Sequence, residues 1–202
     1  MAEEAIIFCC SPRAGGNSDA AGQFLAEGVE QSGGRARLVH LRNYRILPCL
    51  GCGRCRKEPG RRCFQEAKDQ SRELFSTLFS ASLLFFSSPV FFYHVPAHFK
   101  AFIDRGQSFY LRKLDQDPAL LSLPKRPAYL SMVAGRPKGE RLFEGSELTV
   151  RYFLEIFNFC LEGTLFFRGI DKQGDLEGQL EKSERLRRFG GSAWKMCTGA
   201  VS

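Results

Sequence analysis

Four cysteines fall within one short stretch, Cys49-x2-Cys52-x2-Cys55-x7-Cys63. Three thiolates set two residues apart can curl around one face of a cubane iron–sulfur cluster, [4Fe–4S], and leave the fourth to close it. Gly51 and Gly53 give a tight loop its backbone freedom, and Arg56, Lys57 and the arginines nearby offset the negative charge of a thiolate-ligated cluster. Two other readings stay open. One is a structural zinc, which generally prefers two separated pairs of ligands; the other is an unmetallated loop of free thiols. Such clustering points away from a disulfide framework. The remaining Cys9, Cys10, Cys160 and Cys197 are scattered and read as core or incidental thiols.

A second constellation is the loop Ser11-Pro12-Arg13-Ala14-Gly15-Gly16-Asn17-Ser18. Gly15 and Gly16 can turn successive N–H groups inward as an anion-binding nest. A helix beginning near Ser18 adds unpaired N–H groups and the positive end of its dipole. Ser11 and Ser18 offer hydroxyls, Asn17 a cap or an amide donor, and Arg13 a charged bidentate donor. The alternative is a plain capped turn. There is no G-x-x-x-x-G-K-[ST], nor a G-x-G-x-x-G followed by a ribose-binding acid. His94 and His98 stand at i, i+4, but Pro96 between them starts a helix, so they read as ordinary histidines rather than a metal pair.

The elements that must position these loops alternate strand and helix. Ala5 to Cys10 is a wholly apolar strand, buried on both faces. A helix follows to about Gln31, ended by Ser32-Gly33-Gly34. Arg35–Leu41 is a second strand, and the cysteine loop spans about 42–65. A helix over Glu66–Ser80 precedes a third strand, Leu83–Ser88, stopped by Pro89. Pro96 opens a helix to about Leu111. Arg126–Val133 is a fourth strand, Phe143–Leu161 a helix and Gly163–Ile170 a fifth strand. Leu176–Phe189 is a last helix, with a frayed tail beyond it. The whole, 1–202, is expected to be one α/β domain with a doubly wound five-stranded parallel sheet and helices on both faces. Ligands of such sheets bind at the carboxyl ends of the strands, near the switch in strand order.

The order of motifs resembles the NADPH-dependent FMN reductase family, which has a flavodoxin-like fold. Ser-Pro-Arg followed by Asn-Ser after the first strand is similar to its phosphate loop. Ser88-Pro89-Val90-Phe91 after the third strand is similar to its loop beside the flavin ring. Phe99-Lys100-Ala101-Phe102-Ile103-Asp104-Arg105 is similar to its helix ending Lys-x-x-x-Asp-Arg. The resemblance implies that Ser11, Arg13, Asn17 and Ser18 bind the FMN phosphate. It also implies that Pro89, Val90, Phe91 and Phe92 border the flavin, with Phe91 where the family often has tyrosine or tryptophan. Ala134-Gly135-Arg136 would approach the other edge. Lys100, Asp104 and Arg105 read as structural ion pairs. The cysteine loop, placed after the second strand, resembles that of the iron–sulfur flavoprotein branch. The expected activity is FMN-dependent electron transfer from NAD(P)H; the alternative is an electron carrier exchanging electrons with ferredoxin.

Composition bounds the partners. Lys and Arg number 29 against 22 Asp and Glu, a formal charge of +7, which attracts phosphate-bearing ligands and acidic proteins. The basic residues are dispersed and the aromatics fall in core strands and helix faces, so no nucleic-acid partner is expected. No apolar run reaches the ~18 residues of a membrane helix. Glu3 and Glu4 stand where a signal peptide would be basic, so a cytoplasmic location is expected. The aromatics clustered from Phe91 to Tyr110 exceed what one flavin must cover, and a homodimer or homotetramer is expected.

Overall fold

The computed structural model describes residues 4–199. Five strands, β1 (Ala5–Cys9), β2 (Ala36–His40), β3 (Leu83–Pro89), β4 (Arg126–Ala134) and β5 (Phe159–Arg168), form one sheet in the order β2-β1-β3-β4-β5. Every pairing is parallel, with Cys9 level with His40 on one side and Ser87 on the other. The order reverses beside β1, which is where ligands of open α/β sheets bind. This is the flavodoxin-like arrangement.

Alternation along β1 sorts its side chains between two cores. Ala5, Ile7 and Cys9 join the core beneath helices α1 (Asn17–Gln31) and α7 (Leu180–Thr198). Ile6, Phe8 and Cys10 join the other, beneath α2 (Ser71–Ser80), α3 (Ala97–Arg105), α4 (Gln107–Leu114), α5 (Pro118–Leu121) and α6 (Glu144–Glu155). That second core is largely phenylalanine. Phe8 stacks on Phe86 at 5.4 Å, and Phe75 meets Phe102 at 4.7 Å and Phe109 at 4.6 Å. Arg126 is buried at the sheet's base, donating to the carbonyls of Phe79, Ala81 and Phe157 and lying 3.9 Å from the Phe159 ring centroid. Burial lowers its pKa to about 10, which leaves it charged at neutral pH.

Several expected boundaries move, each for a local reason. The last helix does not stop at Phe189 and fray; it runs to Thr198, because Gly190 and Gly191 face α1. A methyl group at Gly190 would lie 2.3 Å from the Leu25 carbonyl oxygen, and one at Gly28 only 1.9 Å from that of Arg187. The helix cost of a glycine, about 1 kcal/mol, is offset by backbones brought into contact. The helix expected from Pro96 breaks at Gly106 into α3 and α4. Phe159 to Leu161 belong to β5 rather than to a helix, since Asn158 at φ 58° turns the chain after α6. Asparagine tolerates that left-handed conformation better than most residues. The helix expected from Glu66 starts at Ser71, after a short 3-10 turn over Phe64–Ala67.

Candidate functional site

The first loop leaves β1 and enters α1 at Asn17, with Gly16 as the N-cap residue. Ser11 folds onto its own turn: its Oγ donates to the Arg13 carbonyl at 2.9 Å and accepts from the Arg13 N–H at 3.1 Å. Arg13 lies across the helix start, its Nε 3.4 Å from where a Gly16 methyl group would stand. Ser18 is buried, its carbonyl accepting from Ser87 Oγ at 2.6 Å.

Two expectations for this loop are corrected. The Gly15 N–H does not point inward; it donates to Asp19 Oδ2 at 2.9 Å. The Asn17 amide is committed elsewhere, donating to the Lys172 carbonyl at 2.8 Å and accepting from the Leu176 N–H at 3.2 Å. Asn17 therefore tethers the segment after β5 to α1, and the Ser11 hydroxyl is likewise engaged by Arg13, which leaves the first backbone N–H groups of α1, the Arg13 guanidinium and Ser18 on this side of the cavity. Asp19 is itself held by Arg42 at 2.9 Å, and Arg42 also reaches the Ser11 carbonyl. Beneath it, burial first and then the Asp19 carboxylate push the Cys9 thiol up to about 12, with Arg42 opposing in part.

These residues edge a cavity of about 240 Å³ at the carboxyl ends of the strands. Ser11, Arg13, Asn17 and Ser18 lie at one side; Pro89, Val90 and Phe91 after β3 and Gly135 after β4 lie at the other. Three expected neighbours of the flavin are placed differently. Ala134 is buried in the phenylalanine-rich core. Arg136 lies 5.7 Å from the Tyr93 ring centroid. Phe92 is wholly exposed, at the tip of a two-residue turn in which Phe91 and His94 exchange backbone hydrogen bonds of 2.8 and 3.0 Å. Phe92 and Tyr93 there have φ of 49° and 63°. Turns of this hand usually carry Asn-Gly, and holding bulkier residues in them costs on the order of 1–3 kcal/mol each.

His94 Nε2 pairs with Thr149 Oγ1 at 3.1 Å, whereas His98 Nε2 meets the carbonyls of Leu41 and Tyr44. They serve different elements and form no pair. Burial, then nearby Lys100, lowers the His94 pKa.

The cysteine loop is folded as a series of 3-10 turns over Arg54–Arg56, Pro59–Arg61 and Phe64–Ala67. Its neck is closed by a buried ion pair between Arg105, the last residue of α3, and Asp69. Arg105 also donates to the Leu47 carbonyl at 3.1 Å, while Asp69 accepts from the Leu47 N–H at 2.9 Å and from both N–H and Oγ of Ser71. Burial alone would raise the Asp69 pKa; those hydrogen bonds and Arg105 together hold it below the ordinary value. Lys100 and Asp104 form a surface pair at 2.6 Å.

Cys49, Cys52, Cys55 and Cys63 line one cavity of about 240 Å³, with Leu50, Phe64 and Leu111 among the apolar residues around it. Burial raises the Cys55 thiol, and the neighbouring sulfurs of Cys63, Cys49 and Cys52 raise it further. The four sulfurs are not gathered as tightly as one zinc requires. Zn–S bonds of about 2.3 Å would put them less than about 4 Å apart, yet the group of three ligand atoms within 4.8 Å among the described residues is Cys9, Asp19 and His40.

The family model for NADPH-dependent FMN reductases matches residues 4–142, taking in the first loop, the cysteine loop and the turn after β3. The chain belongs to that family. Among curated relatives, an iron-sulfur flavoprotein of Archaeoglobus fulgidus is 33% identical over 102 residues, covering 50% of this chain and 44% of that protein. The chain thus spans less than half the length of this relative. An NAD(P)H:quinone oxidoreductase from Methanothermobacter marburgensis superposes with a TM-score of 0.67 at 15% identity, over 97% of this chain and 96% of that one. An FMN-dependent NADH-azoreductase from Bacillus anthracis, solved in complex with FMN, gives 0.67 at 10% identity, over 95% and 99%. At such identities these likenesses speak for the fold.

Sequence reasoning missed part of this FMN reductase family member's cavity. Val133, Ile170 and Asp171 also line it. Asp171 fits because Gly135 lacks a side chain: a methyl group there would lie 2.3 Å from Asp171 Oδ1. Ile170 and Asp171 follow β5, and treating the end of the fifth strand like the other four would have found them. No described helix is long and apolar enough to cross a membrane.

Proposed function

We propose that the chain is an FMN-dependent oxidoreductase that takes electrons from NAD(P)H, and that its cysteine loop carries a [4Fe–4S] cluster. The observation that carries this reading is the cavity with a guanidinium and a helix N-terminus at one side and Pro89, Val90 and Phe91 at the other. The donor set suits a dianionic phosphate, and the opposite apolar side suits a flat ring. Arg13, the Ser18 hydroxyl and the first N–H groups of α1 hold the phosphate, joined by the Ser11 hydroxyl once it turns from the Arg13 carbonyl, while Phe91 shields one border of the ring from water. Bound FMN supplies the electron uptake and release; the chain positions it and sets its surroundings. Cys49, Cys52, Cys55 and Cys63 would ligate the cluster, and Arg54, Arg56 and Lys57 offset its charge.

A second reading is a carrier that exchanges electrons with an acidic ferredoxin, and it is favoured by the +7 charge and the basic residues of the cysteine loop. Rapid anaerobic mixing of the FMN-loaded protein with NADPH, with NADH and with reduced ferredoxin separates the two. Fast bleaching of the flavin by a pyridine nucleotide is expected. Slow bleaching by both nucleotides with fast reduction by ferredoxin would replace the enzyme reading with the carrier.

A further inference from the structure

A third cavity, of about 420 Å³, opens where the cysteine loop meets α2 and α4. It shares no lining residue with the cavity at the strand ends or with the one among the cysteines. Phe75, Phe79 and Phe109 line it, with ring centroids 4.6 Å apart for Phe75–Phe109 and 5.4 Å for Phe79–Phe109. Four guanidinium-bearing residues, from three elements, surround that aromatic surface: Arg61 and Arg62 from the loop, Arg72 from α2 and Arg112 from α4. Of the two carboxylates that also line it, one is paired with a guanidinium and the other, held only by a backbone N–H, keeps its charge. Asp117 holds Arg112 at 2.6 Å, and Glu66 accepts from the Cys63 N–H. Arg61 is fixed by Asp115 outside the lining. Arg62 and Arg72 have no carboxylate partner among the described residues.

Two guanidiniums without a carboxylate partner, set against the single charge of Glu66 and beside a phenylalanine cluster of which Phe75 and Phe109 are largely buried, select for a particular chemistry. Arginine's planar fork binds a carboxylate in bidentate fashion and also lies well against flat rings. The half-buried Phe79 and the accessible edge of Phe109, whose faces pack on Phe75, Phe157 and Arg112, meet an apolar, preferably aromatic, body. The volume lies within the range of small-molecule sites, about 300–1,000 Å³. We propose that this cavity is a second ligand site that binds a small aromatic or arylalkyl carboxylic acid, with Arg62 and Arg72 on the carboxylate and Phe79 and Phe109 against the ring. Arg61 and Arg62 lie between Cys55 and Cys63, so an occupant that bridges the loop to α2 also stills that limb of the loop. Ligand binding there is linked to the ordering of the cysteines. Nothing in the proposal depends on which donor reduces the flavin.

The test is calorimetric titration of the full chain, saturated with FMN, using 4-phenylbutyrate, its neutral counterpart 4-phenylbutan-1-ol, and inorganic phosphate. One saturable site for phenylbutyrate is expected, with the alcohol and phosphate each at least tenfold weaker. Arg62→Gln with Arg72→Gln, both on exposed side chains, should weaken phenylbutyrate tenfold or more and leave the FMN affinity unchanged. Ser76→Trp, which fills the mouth from α2, should have the same effect without removing a charge. Amide exchange over residues 58–66 and 72–79 should slow on binding. Absence of a saturable site, equal binding of acid and alcohol, insensitivity to both variants, or displacement of FMN by phenylbutyrate would each overturn the proposal.

Discussion

At the scale of single residues, charge is used in two ways, one exposed and one buried. Arg13 is exposed and its guanidinium spans the start of α1. A charge-assisted hydrogen bond from it to phosphate contributes roughly 1.5–3 kcal/mol, about tenfold to a hundredfold in affinity. Arg13→Ala should weaken FMN by that factor in a flavin-fluorescence titration while riboflavin, which has no phosphate, binds both proteins alike. Equal losses for both ligands would mean that Arg13 acts through folding. Asp69 is the buried counterpart, paired with Arg105. Its pKa is lowered in the folded chain, so its contribution is complete above the ordinary aspartate value of about 3.9 and is lost as the pH falls through the lowered one. Breaking such a pair from one side costs about 3–5 kcal/mol. Asp69→Asn should therefore be markedly less stable than the parent in urea at pH 7, and the gap should begin to narrow once the pH falls below about 3.9. A gap that stays constant across that range would mean the charge of Asp69 contributes nothing.

At the scale of elements, the cysteine loop and the flavin-side loops are separate units on one strand edge. On the proposal that the loop carries a cubane, Cys52→Ser should abolish its broad absorbance and roughly four irons per chain, while FMN remains bound; a parent protein reconstituted without oxygen that still lacks iron would remove the cluster. Loss of both cofactors together would show that the two loops fold as one. Much of this arrangement was legible in the sequence because strong local patterns carried it: a wholly apolar β1, a Gly-Gly turn into α1, four cysteines between two periodic segments. What was not legible depended on distant partners. Gly190 and Gly191 look like a helix stop until α1 is brought against them. Asn17 looks like a cap or phosphate donor until the segment around Lys172 arrives to claim its amide. The pairing of Asp69 with Arg105 spans two elements, and nothing local in either one announces the other.

At the scale of the whole molecule, several large apolar side chains are exposed near the Phe92 turn and α6. Phe92, Tyr110, Leu148 and Tyr152 are all exposed, and the Phe92 turn is joined to α6 through His94 and Thr149. Backbone strain held by its surroundings and exposed apolar patches both tend to mark interaction sites. A second copy of the chain is the expected cover. Sedimentation at micromolar concentration should give a dimer or tetramer of the 22.8 kDa chain, and Phe92→Asn with Tyr93→Gly should shift it toward monomer while raising the monomer's own stability. A parent protein that sediments only at 22.8 kDa would remove the oligomer from the account.

The closed neck at Leu47, Asp69 and Arg105 has one more consequence. A loop whose two ends are pinned by a buried pair behaves as a cartridge: what it carries can change without the socket changing. The entropy of closing such a loop grows only logarithmically, by about 0.6 kcal/mol for each doubling of its length. On that scaling, lengthening or shortening the segment between the pinned ends changes the closure cost by little. The socket and what it holds can in this way vary independently.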